Sequence, residues 1–111
     1  MAGLIDLSTD RDRAWSAAGW LFRWALRTLD VNLRDERLSS TFAEIIENNL
    51  GYLNLEEVLA TQRVAILRVI SDQFADAADE DLRDTGLDTD AILGTVDELI
   101  GLAKLELESL R

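Results

Sequence analysis

The stretch AWSAAGWLFRWALRTLDV, Ala14–Val31, decides how this chain is read, because all three of its tryptophans fall within it. Taken at about 100° per residue, Trp15, Ala18, Phe22, Ala25, Leu26, Leu29 and Leu33 gather on one side of a helix. Trp20, Trp24 and Val31 fall on the opposite side, with Arg13 and Arg27 beside them. The spacing predicts a first helix from about Arg11 to Arg34, entered through Ser8, Thr9 or Asp10 as cap. Trp15 is assigned to the core, and Trp20 with Trp24 to a second apolar face.

Working outward, RDERLSS separates this helix from a short second one, about Phe42 to Leu50. Thr41 and Glu44 stand at capping-box spacing, Phe42, Ile45, Ile46 and Leu50 form the apolar stripe, and Gly51 is the stop. A long third helix is predicted from about Leu55 to Asp81, opened by Asn54 and Glu57. Leu55, Val58, Leu59, Ile66, Val69, Ile70 and Ala77 share its apolar face, with Phe74 at the edge. The fourth, about Ala91 to Leu110, turns Ile92, Val96, Leu99, Ala103, Leu107 and Leu110 inward. Gly94 and Gly101 either weaken it or mark close helix contacts. The chain has 111 residues and no proline. That length suits one domain, residues 1–111. The expected fold is all-α, an irregular antiparallel bundle of about four helices.

The net charge is −11, with 22 acidic residues against 11 basic ones. Met1 to Arg37 is balanced, with six of each sign, so the excess lies entirely in the remainder. Asp72 to Glu98 alone holds ten acids against Arg83. Uniform salt adaptation would spread acids over every exposed face. A localised patch instead makes a field of one sign that steers a basic protein and repels nucleic acid and anionic lipid. The solvated-face reading stands beside this, since Asp near the start of the fourth helix also favours its dipole. The acids singled out are Asp76, Asp79, Glu80, Asp81, Asp84, Asp88 and Asp90. A second candidate interface is Trp20, Trp24, Arg27 and Val31, residue types that recur at binding hot spots.

Much chemistry is excluded. Histidine and cysteine are both absent, which removes the Ser–His and Cys–His arrangements, thiolate metal sites and disulfides. The loop DEDLRDTGLDTD fails as an EF-hand. With Gly86 sixth, Arg83 and Thr85 occupy ligand positions, and Ile92 stands where a Glu is needed. No nucleotide-binding motif and no basic stripe occurs, so the expectation is a non-enzyme without cofactor or metal. The N-terminus lacks a basic region and a long apolar core, so no signal peptide is predicted, and no apolar run is long enough for a membrane span. A cytoplasmic location fits.

In size, acidity and helical character the chain resembles bacterial immunity proteins, such as those of bacteriocins and contact-dependent inhibition systems. The resemblance covers general properties of the whole chain and carries over no residue. It implies an inhibitor or antitoxin that covers a basic partner, most plausibly a nuclease toxin, with carboxylates standing in for phosphates. Two alternatives accompany it: a scaffolding subunit or homodimer joined through the Trp20/Trp24 face, and a phage-type nucleic-acid mimic directed at a defence protein.

Overall fold

The computed structural model describes residues 2–83, 85–86 and 88–110. It contains four helices, but the all-α expectation is overturned by a three-stranded sheet that opens the chain. Strands β1 (Ala2–Ser8) and β2 (Arg13–Ala18) form an antiparallel hairpin. They are followed by α1 (Gly19–Leu33), α2 (Glu36–Glu47), a short β3 (Tyr52–Asn54), α3 (Ala60–Leu82) and α4 (Thr89–Ser109). The sheet order is β2-β1-β3, with β3 parallel to β1.

The hairpin forms because its residues alternate with period two, not 3.6. Ile5 and Leu7 on β1, Trp15 and Ala17 on β2, and Leu53 on β3 are buried on one face. Ala14, Ser16 and Ala18 are exposed on the other. Trp15 is thus in the core, as expected, but on a strand. Its indole N–H donates to the Thr95 carbonyl of α4 at 2.9 Å. Of the STD residues assigned as a helix cap, Ser8 instead ends β1, and Thr9 and Asp10 begin the hairpin turn. Asp12 closes that turn at φ +53°, its N–H donating to the Thr9 carbonyl at 3.2 Å. Aspartate tolerates this left-handed conformation. A glycine is required at position 3, because a Cβ there would run into Cβ and Cγ of Phe22 on α1. That contact seats α1 on the sheet.

The other boundaries move for local reasons. Helix α2 starts earlier than Phe42 because Asp35 caps it, accepting from the N–H of Arg37 (3.0 Å) and Leu38 (3.1 Å). The Leu38 amide, above all, holds the Asp35 carboxyl below its ordinary range. Thr41 is mid-helix and donates to the Arg37 carbonyl (3.0 Å), so it caps nothing. Leu50 lies beyond α2 and is exposed. Helix α3 starts at Ala60, since Asn54 uses its side chain to accept the Glu56 N–H (2.9 Å) in a turn. Buried Leu55 belongs to that turn, and Leu59 is exposed. Leu110, expected inward, is the exposed C-cap of α4. Gly94 and Gly101 meet nothing within 4 Å of an added Cβ, so neither marks a close helix contact. Helices α3 and α4 pair as a hairpin, α4 and α1 pack on β1 and β2, and α1 packs against α3. No helix among the described residues is long and apolar enough to cross a membrane.

Candidate functional site

The two regions singled out in the sequence meet in space. Trp24, Thr28 and Val31 recur at helical spacing on α1 and form one wall of a surface groove of about 480 Å³. Gln73, Asp76, Ala77, Glu80 and Asp81 recur in the same way on α3 and form the other. Trp24 joins the walls. Its ring meets Phe74 edge-on, with centroids 5.3 Å apart, and its indole N–H donates to Asp81 Oδ2 at 3.0 Å. The tryptophan is therefore half-buried against the core and held in one orientation, with Val31 70% exposed farther along the same wall. Arg27 also lines the groove, one guanidinium against three carboxylates.

The remaining candidates separate by role. Trp20 is half-buried against the core and lies outside the groove's lining. Asp79 pairs with Arg83 one turn on along α3. Asp88 caps α4, accepting from the Ala91 N–H at 3.2 Å, and Asp90 sits in that helix's first turn. Both therefore favour the α4 dipole. Asp84 lies outside the described residues. Helix α3 presents the opposite case. Its last turn carries Asp79, Glu80 and Asp81 and no base of its own, where the dipole disfavours negative charge. Helix formation explains Asp88 and Asp90 at the start of α4. It does not explain the acids of α3.

A second charged cluster escaped the sequence reading. Glu106 on α4 is fully buried and accepts from three guanidiniums: Arg11 (2.8 Å), Arg13 (2.9 Å) and Arg63 (2.7 Å). Arg63 also donates to the Leu7 carbonyl (3.0 Å), and Arg13 to Ser109 Oγ (3.1 Å). The cluster ties the hairpin and the start of α3 to the end of α4. The signal was present in sequence, since Glu106 interrupts the apolar face running through Leu99 and Ala103. Because Arg63 near the start of α3 meets Glu106 near the end of α4, the acidic turn between these helices lies at the opposite end of the hairpin. Charge is thus segregated along the α3/α4 axis.

Among the described residues, no group of three or more acids could hold a metal ion. The arrangement of the groove, with a fixed indole, an exposed aliphatic wall and converging carboxylates, suits recognition of a basic and partly apolar surface. Compared with protein-family models, curated proteins and solved structures, the chain matches none.

Proposed function

We propose that this protein is an acidic binding module of the immunity or antitoxin kind, which inhibits a basic partner by covering it. The α1/α3 groove is its docking surface. One observation carries the reading: Glu80 and Asp81, which oppose the dipole in the last turn of α3, converge with Asp76 and an oriented tryptophan on a single groove. Unfavourable local choices of this sort cluster where a protein has a use for them. Asp76, Glu80 and Asp81 would meet lysines and arginines, Trp24 would take the face of a guanidinium or an aliphatic side chain, and Val31 would add apolar contact. A nuclease toxin is the partner class whose own substrate requires such a basic surface.

The test uses the immobilised chain, native lysate and elution along a salt gradient. The control carries Asp76→Asn, Glu80→Gln and Asp81→Asn together. A basic protein retained by the parent chain and released at much lower salt from the variant supports the proposal. Equal retention on both refutes it. Self-association is the second reading, favoured by the exposure of Val31. It predicts a dimer by light scattering that Val31→Asp converts to a folded monomer.

A further inference from the structure

We propose that the free edge of β3, with the groove between it and α2, takes an extended partner segment as a fourth strand. That segment alternates apolar residues with lysine or arginine. The order β2-β1-β3 gives β3 a neighbouring strand on one side only. The Gly51 carbonyl accepts from Leu4 N–H (2.9 Å), and Leu55 N–H donates to the Asp6 carbonyl (3.0 Å), so both residues turn their main chain towards β1. Direction alternates along a strand, and the main-chain groups of Tyr52 and Asn54 therefore point outward. The Asn54 carbonyl is taken by the Glu57 N–H (3.2 Å). The Tyr52 N–H and carbonyl and the Asn54 N–H remain at the open edge.

Three further observations say what would cover that edge. A groove of about 600 Å³ runs beside it, walled by Thr41, Glu44 and Ile45 of α2 and by Tyr52 and Leu53 of β3, which leaves room for a strand between helix and sheet. Leu50, Tyr52 and Leu59, three of the six large apolar side chains left exposed among the described residues, flank β3 within ten positions of one another. Glu44 and Glu57 line the groove and no lysine or arginine does, so the complementary segment is basic. Edge strands are commonly guarded by proline, lysine or a bulge. The sequence Tyr52-Leu53-Asn54 offers none of these, its one guard being a length of three residues. In strand addition, the main chain supplies affinity and alternate side chains supply selectivity. Here one side-chain row would pack on Ile45 and Leu50 while the other meets Glu44 and Glu57.

A random short-peptide library displayed on phage, selected against the full chain, tests this. The expected winners alternate apolar residues with lysine or arginine. A synthetic copy of one winner should protect the Tyr52 and Asn54 amides from hydrogen exchange. Methylating the peptide nitrogen that faces Tyr52 should weaken binding about tenfold, the loss of one main-chain hydrogen bond. Tyr52→Pro should weaken it similarly while Tyr52→Phe does not. If the proline variant fails to fold, the methylated peptide against the parent chain decides alone. Asp76→Asn with Glu80→Gln, in the other groove, should leave peptide binding unchanged, so the two surfaces fail or succeed separately. An empty selection, winners that bind equally well when methylated, or amides that exchange at the same rate with and without peptide would overturn the proposal. So would a dimer that Tyr52→Pro dissociates, which would give the edge to a second copy.

Discussion

Replacing Glu106 by glutamine should be among the most damaging conservative changes available to this chain. The side chain keeps its size, but three guanidiniums lose the carboxylate they share at 2.7–2.9 Å. Breaking a buried charge pair by removing one partner costs about 3–5 kcal/mol, because the opposite charges stay behind without compensation. Arg11 is 38% exposed and regains water, whereas Arg13 and Arg63 are 21% and 19% exposed and do not. The lower end, about 3 kcal/mol, is therefore expected. Against a typical stability of roughly 5–15 kcal/mol the variant still folds at room temperature. At about 2.1 cal/mol/K per residue, a chain of this length should lose roughly 13 °C in Tm.

Urea unfolding followed by circular dichroism measures this directly. The midpoint should fall with the slope unchanged, the mark of lost stability in an intact fold. Arg11→Gln provides the contrast. It removes the most exposed of three like charges, which relieves repulsion while losing one bond, and should change stability by less than about 0.5 kcal/mol. A loss below about 1 kcal/mol for Glu106→Gln would refute the reasoning, since it would place the cluster with solvent-screened surface pairs.

Gly3→Ala should destabilise strongly, because the added methyl meets the base of the Phe22 side chain, where no rotamer change relieves it; a fall in Tm with loss of near-ultraviolet tryptophan signal would show it. Gly94→Ala and Gly101→Ala, which meet open space, should each raise stability by about 0.5–1 kcal/mol in urea titration. The Asp35 carboxyl is held below its ordinary value by the Leu38 amide, so its cap should stabilise α2 above the usual aspartate range and fade as pH falls through the lowered value; Asp35→Asn should flatten that part of the stability–pH curve. The Tyr52 phenol, raised by partial desolvation and then by Asp6, should ionise later than a free tyrosine in ultraviolet difference spectra, and Asp6→Asn should move it part of the way back. Glu80→Gln should stabilise the free chain by roughly 0.3–1 kcal/mol, because it relieves a negative charge at the C-terminal end of α3.

The helices were legible because long amphipathic stretches carry their period with them: Ile66 and Ile70 on α3, and Ile92, Val96 and Leu99 on α4, are buried as the pattern requires. The sheet was missed for a physical reason. Trp15 and Ala18 satisfy a helical stripe as well as Trp15 and Ala17 satisfy a strand, and a short alternating run contains no local evidence that decides between them. The partner strand decides, and in β1 only Gly3, Ile5 and Leu7 alternate, ahead of every helix the periodicity predicts. At the groove, each wall was visible alone, since Trp24 and Val31 share a helix face and Asp76 and Glu80 share another. Their meeting depends on how α1 crosses α3, which no periodicity encodes.

That meeting changes what the acidic run means. In the sequence, Asp72 to Glu98 is one block of negative charge. In the fold it divides at the turn between α3 and α4. After the turn, Asp88 caps α4 and Asp90 complements its first turn, and the presence of these two follows from helix physics alone. Of those before it, Asp79, Glu80 and Asp81 sit in the last turn of α3, where like charge and dipole both oppose them, and Asp76 lies one turn earlier on the same face as Glu80. Arg83 offsets Asp79, and Trp24 engages Asp81. Glu80 and Asp76 have no such partner among the described residues and face the groove. A surface serving solubility alone would gain as much from acids on any other exposed turn. Their placement beside an oriented indole therefore concentrates the argument for binding on Asp76 and Glu80, and neutralising these two should slow association more than the same change at Asp88 and Asp90.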